Sequence, residues 1–397
     1  MGSSAFSRRG FLAGGAAVTA GGLLAACADK EPDETFDENR YLSGQTIPFD
    51  GPRQAGIETP HQAHLNLVGF RLNDGVGRAD LVRLMRSWTT DARHLCQGTT
   101  PPGSLEQEMT DKPARLTVTC GLGARAFEVA GVVDKRPSWL APLPEFSRDR
   151  LDPAWGQADV VLQICGDDPI TVSHTMRHLI RTAPTYATTL WVQQGFLSAH
   201  GASGESGTPR NLFGQLDGSI NPHTADEFAR QVWDGDATAM VVRRIRMNLD
   251  TLEELDRGSR ENAIGRRLGD GAPLSGGGEF DDVDVTALGD VGLPLVDRTS
   301  HVARAMPAPG HPEQRILRRP YNYDLPPDMS AGQLSNSGQI FICFQKDPMT
   351  QFVPIQQRLD DLDQLNTWIT HIGSGVYWVP PGTRSSDEYW AQQLLAG

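Results

Sequence analysis

The chain of 397 residues predicts an α+β fold in two similar halves, and three observations carry that expectation. Runs that alternate apolar and polar residues are each followed by a stretch whose apolar residues recur at helical spacing. Their order in the first half, β-α-β followed by β-α-β, is that of a ferredoxin-like unit with a mainly antiparallel sheet. The same order returns in the second half.

In chain order, "HLNLVGFRLND" from His64 alternates like a strand and leads into "RADLVRLMRSWTTDARHL", where Leu81, Leu84, Met85 and Trp88 line one helical face. "ARLTVTCGLG" supplies a second strand. "VVLQICGDDP" runs into the helix pattern "ITVSHTMRHLIRT", and "YATTLWVQQG" closes the half as a strand. In the second half "AMVVRRIRMNLD" precedes "TLEELDR", and "QIFICFQKDP" precedes "MTQFVPIQQRLDDLDQLNTWI". Pro169 and Pro348 each follow a strand near a helix start, where a residue without an N–H is tolerated. The expected units are 52–210 and 211–397, with two antiparallel sheets packed together. A Gly- and Asp-rich stretch from Gly258 to Ser300 interrupts the second unit, and such long insertions are often functional.

Ahead of these units, residues 1–28 read as an address. Arg8-Arg9 precedes Phe11, Leu12 and a short Gly/Ala-rich apolar run, too short to span a bilayer, which points to twin-arginine export. Two processing routes fit: "LAAC" at Leu24–Cys27 is a lipobox that would give a lipid anchor at Cys27, and Ala26-Cys27-Ala28 suits plain cleavage. The lipobox is the favoured reading, and the expected location is the periplasm, the cell surface or the medium. Residues 29–51, acidic and proline-containing, are expected to form a flexible tether.

The formal charge of −13, from 36 basic and 49 acidic residues, argues against nucleic acid as a partner. Cys27, Cys96, Cys120, Cys165 and Cys343 lie far apart without C-x-x-C spacing, so neither a zinc cluster nor a disulfide is expected.

Three polar features in the second half need more than packing to explain them. Asp217 is the only formal charge in "NLFGQLDGSINP", where Asp-Gly alone would read as a tight turn. His301 stands in "DRTSHVARAMP", and "RILRRPYNYD" holds Arg315, Arg318 and Arg319. Together with "FDGPRQAGIETPHQA", "VVRRIRMNLDTLEEL", "IGRRLGDGAPLSG" and "FVPIQQRLDDLDQLNTWITHIGSGVYWVPPG", they make the sequence resemble the dye-decolourising peroxidases, in particular the exported deferrochelatase/peroxidase branch. The resemblance runs from about Phe49 to the C-terminus.

That resemblance implies a fold of the dimeric α+β barrel type, haem b as cofactor, and hydrogen peroxide with a one-electron donor such as a dye or phenol as substrates. Its G-x-x-D-G motif falls on Gly214–Gly218, making Asp217 the acid–base residue. His301 matches the axial ligand of the haem iron, and Arg319, 319 − 301 = 18 residues later, matches the distal arginine. Gly218, Ser219, Ile220, Met306 and Pro307 are the further expected haem contacts. Pro320 replaces an expected glycine and Met306 an expected polar residue. A hydrogen-bond partner for the second ring nitrogen of His301 is sought among Asp281, Asp282 and Asp297, and Tyr377, Trp378 and Trp390 are candidate electron-transfer residues. The family also implies homo-oligomers and iron-uptake partners. Two other functions remain open: release of iron from haem with the porphyrin intact, and non-catalytic haem carriage.

Overall fold

A computed structural model describes residues 41–202 and 207–396. The first half contributes strand β1 (His64–Leu72), helix α1 (Arg78–Cys96), β2 (Thr117–Leu122), the short α2 (Ala124–Val129), β3 (Val160–Gly166), α3 (Pro169–Arg181) and β4 (Ala187–Phe196). After α4 (Ala225–Gln231) the second half continues with β5 (Thr238–Met247), α5 (Leu249–Leu252), α6 (Arg257–Ile264), α7 (His301–Ala305), β6 (Leu317–Arg318), β7 (Tyr321–Leu325), β8 (Asn336–Gln345), α8 (Phe352–Leu362), β9 (Ile369–Val379) and α9 (Gln392–Leu395).

Local chemistry sets several of these boundaries. Pro169 opens α3 directly after Asp168, whose carboxylate accepts from the Thr171 N–H at 2.8 Å and so satisfies one of the free donors of the first turn. Thr224 and Glu227 cap α4 reciprocally. Asp363 stops α8 and starts a single 3-10 turn by accepting from Leu365 N at 2.9 Å.

Each half forms an antiparallel four-stranded set in the ferredoxin-like order, β4-β1-β3-β2 in the first and β9-β5-β8-β7 in the second. The sequence suggests two sheets packed together; the sets instead meet edge to edge. Leu122 pairs with Trp378 at one seam and Phe196 with Asn322 at the other, so eight strands close into a ring. Closure removes the unpaired edges that two open sheets would expose.

Alternation along the strands then divides the core. Leu65, Leu67, Met240, Val242, Tyr321, Ile340, Ile342 and Tyr377 pack inside the ring. The outward residues Val68, Phe70, Val118, Ile164, Val241 and Cys343 are covered by α1, α3 and α8. A smaller cluster of Phe213, Met247, Leu252, Ile264 and Leu365 sits beneath the segment that joins α6 to α7.

Residues 29–51 are not a tether throughout. From Tyr41 the chain is part of the fold: Ser43 O and Gln45 O accept from Ala114 N and Arg115 N. Phe49 is buried against Trp390, and Asp50 pairs with Arg93 at 2.9 Å. An aromatic ring and a paired charge order a segment whose acidic composition alone suggests mobility. The expected export signal at residues 1–28 lies outside the described residues. Where a single helix is expected after β5, two short ones appear, because Asn248 and Asp256 each cap a separate start.

Candidate active site

The motif loop around Asp217 is a turn and a pocket wall at once. Asn211 Oδ1 accepts from Phe213 N and Gln215 N at 3.0 and 3.2 Å, and Asn211 N donates back to Gln215 O at 2.9 Å. Gly218 follows Asp217 at φ +140°, a backbone that side chains disfavour, and lets the chain reverse so that the carboxylate meets Gln339 and Arg318. Oδ2 of Asp217 accepts from Gln339 Nε2 at 2.9 Å and from Asn211 Nδ2 at 3.3 Å. Oδ1 lies 3.1 Å from an Arg318 guanidinium nitrogen, close enough for an ion pair but outside hydrogen-bond geometry, and is buried with no hydrogen-bond partner. Burial pushes the Asp217 carboxyl up, but the Arg318 charge and the Gln339 and Asn211 bonds outweigh it and hold the group below the ordinary carboxylate range.

Arg318, not Arg319, meets Asp217. The residues are neighbours on a strand and therefore point to opposite faces. Arg318 lies opposite Cys343 on β8 and shares the outer face with Gln339. Arg319 points into the ring, 1% exposed, and donates to Thr59 O and Gln62 Oε1. Pro320 does not disturb this placement. β6 and β7 pair with β8 in continuous register across it, Arg318 opposite Cys343 and Tyr321 opposite Ile340. The spacing that selects Arg319 is one residue off, and one residue on a strand is a change of face.

His301 opens α7 and is about a quarter exposed. Its Nδ1 donates to Asp363 Oδ2 at 2.6 Å. A carboxylate can only accept, so the ring proton sits on Nδ1 and the Nε2 lone pair is left for a metal. Burial lowers the His301 pKa, but the Asp363 carboxylate, through charge and hydrogen bond, more than offsets this and raises it overall. Of the more distant charges, Arg318 lowers the His301 pKa and Asp217 raises it.

Gly265 lets α7 start where it does: at φ +94° it caps α6, and a Cβ there would stand 2.4 Å from Val302 and 2.9 Å from the Ser300 hydroxyl. None of the three acids expected beside His301 is its partner. Asp281 accepts from Gly278 N and Asp297 from Thr299 N, each within its own loop, and Asp282 pairs with Arg315 beyond α7.

The other expected contacts divide. Ser219 is buried and donates to Glu279, Ile220 is half-buried, and Met306 offers its carbonyl to Arg358 beside the half-buried Pro307. Of the candidate electron-transfer residues, Tyr377 and Trp390 are core: Tyr377 lies inside the ring and accepts from Ala158 N, and Trp390 packs on Phe49. Trp378 is half-buried against Phe127. A cavity of about 370 Å³ opens beside Gly218 and Arg318, walled by His61, Pro209, His223 and Phe280.

The family models for the N-terminal and C-terminal halves of the Dyp-type peroxidases match residues 54–197 and 208–384. The chain belongs to the Dyp-type peroxidase family. A dye-decolorizing peroxidase of Thermobifida fusca is 34% identical over 98% of this chain and 97% of its own length. A deferrochelatase of Escherichia coli K12 is 30% identical over 96% and 95% respectively. The crystal structure of a DyP-type peroxidase from Cellulomonas bogoriensis superposes with a TM-score of 0.85 at 44% identity, covering 90% of this chain and 100% of that one.

Proposed function

We propose that this peroxidase holds haem b between His301 on one side and Asp217 with Arg318 on the other. The donor set fits the group: a neutral imidazole oriented by a buried carboxylate is a usual axial ligand of haem iron. Asp217 supplies a buried carboxylate oxygen with no hydrogen-bond partner, as a peroxide-side base requires. Bound haem supplies the iron at which peroxide reacts and from which oxidising equivalents pass to a donor.

The chain's own groups handle protons and charge. Asp217 Oδ1 removes a proton from hydrogen peroxide and returns it to the oxygen that leaves as water, while Oδ2 stays tied to Gln339 and Asn211. Arg318, permanently cationic, offsets negative charge on the peroxide oxygens and keeps Asp217 ionised in acid. Asp363 holds the ring proton on His301 Nδ1, so that Nε2 would be free to bind the haem iron.

The observation that carries this reading is the free Oδ1 of Asp217 beside Arg318. Asp217→Asn should retain a haem Soret band and lose about 10²–10⁴-fold in the second-order rate with peroxide in stopped-flow. A variant that reacts at the wild-type rate overturns the assignment.

The relatives named deferrochelatase support a second reading, release of iron with the macrocycle intact. Mass spectrometry after incubation with haem separates the two, since protoporphyrin formed without peroxide consumption favours the second. Export by the twin-arginine route, with a lipid at Cys27, is part of the proposal and rests on Arg8-Arg9 and Leu24–Cys27. Intact mass of the mature protein from the native host tests it.

A further inference from the structure

β6 is a two-residue strand with one partner. Arg319 N donates to Ile342 O at 2.8 Å, so the backbone groups of residues 317 and 319 face β8 and those of Arg318 face the opposite edge. Among the described residues no strand runs there, because β4 ends at Phe196, which pairs with Asn322 further along. An edge left so would carry an unsatisfied N–H and C=O at the residue that meets Asp217. One side chain answers both. Asn221 Oδ1 accepts from Arg318 N at 3.0 Å, and Asn221 Nδ2 donates to Arg318 O at 2.8 Å. The Asn221 amide thus reproduces the pairing of an absent neighbouring strand. Its own backbone N–H donates to Gly218 O at 2.9 Å, within the turn that aims Asp217.

We propose that Asn221 is a positioning residue that locks the Arg318 strand to the Asp217 turn and so fixes the separation of the acid and the guanidinium. The proposal rests on the reading of Asp217 and Arg318 as the peroxide-side pair, and it adds the element that sets their geometry. Two segments about a hundred positions apart in the chain are joined here by one amide, whose two bonds both go to the backbone of Arg318. A side-chain bond would let the guanidinium swing; a backbone clamp fixes the Cα from which it extends. The charged and titratable groups that act around Asp217 are Arg318 from β6, His301 from α7 and His61, and Asn221 adds no charge of its own.

The test is a double-mutant cycle of Asn221→Ala, Arg318→Leu and the pair, read in two ways. In the full chain without haem, ¹³C NMR follows the titration of the Asp217 carboxyl. Asn221→Ala should raise its midpoint by less than Arg318→Leu does, and the double variant should titrate where Arg318→Leu alone titrates. In the haem-loaded protein, Asn221→Ala should lose about tenfold to a hundredfold in peroxide rate, as expected for misplacement on the ångström scale. The acid limb of its pH profile should move up.

Asn221→Ser, whose hydroxyl can replace one of the two bonds, should fall between wild type and Asn221→Ala, and it serves in place of the alanine variant if that does not fold. An unmoved Asp217 midpoint, or shifts from Asn221→Ala and Arg318→Leu that simply add, overturns the clamp. Because the titration is read without peroxide, a fully reactive Asp217→Asn would defeat the functional reading and leave this result standing.

Discussion

At Asp217 the balance of forces can be read from its neighbours. The carboxylate is depressed because Arg318, Gln339 and Asn211 stabilise its charge by more than burial penalises it. A depressed acid stays ionised, and usable as a base, down to a pH below the ordinary value near ~4, and is lost only as pH falls through the folded pKa. Arg318→Leu removes the largest favourable influence and leaves the burial, so the acid limb of peroxide reactivity should move to higher pH. Arg319→Leu should leave that limb in place and lower thermal stability instead, since its guanidinium binds Thr59 and Gln62 inside the ring. A pH–rate profile of both variants decides between the two arginines. Asp363 acts one bond further out. If His301 is the haem ligand as proposed, Asp363→Asn should weaken haem retention by about 10–100-fold, measured by transfer to a haem-binding competitor, because the carboxylate orients the imidazole.

Helix α7 has only five residues and depends on its neighbours for position. Its start packs against Gly265, where Val302 and Ser300 leave no room for a Cβ and φ is +94°. Gly265→Ala should destabilise the protein by about 2–4 kcal/mol, combining the costs of left-handed backbone and of overpacking, as measured by urea unfolding. It should also loosen the haem, because α7 begins at His301. Strand β6 is the other decisive element. "RILRRPYNYD" offers two adjacent arginines, and the spacing from His301 selects Arg319; only pairing with β8 shows which one faces outward. The same limit applied to Asp363. Acids close to His301 in sequence were the natural candidates, yet the partner lies 62 positions downstream, brought in by the packing of α8 on α7.

Across the whole molecule, the ring holds together unevenly. Within each half the strands of the ring pair over five to ten residues, whereas each seam rests on a single residue pair. Sub-global opening should therefore begin at Leu122–Trp378 and Phe196–Asn322. Hydrogen exchange followed by mass spectrometry should show amides near these pairs exchanging before those central in β1 and β5; uniform exchange around the ring would contradict this.

The sequence by itself determined the α+β class, the two ferredoxin-like repeats, strands β1 to β5 and β8, the principal helices and the family, and it singled out Asp217 and His301. Those features are written in local periodicity and in motifs a few residues long, which survive without knowledge of what packs against them. Tertiary structure decided the edge-to-edge closure of the ring, the choice of Arg318 over Arg319, the partnership of His301 with Asp363, and the clamp from Asn221. Each of these depends on which face of a strand looks outward or on groups distant in the chain, and that information exists only once hydrogen-bond register and packing have fixed the elements against one another.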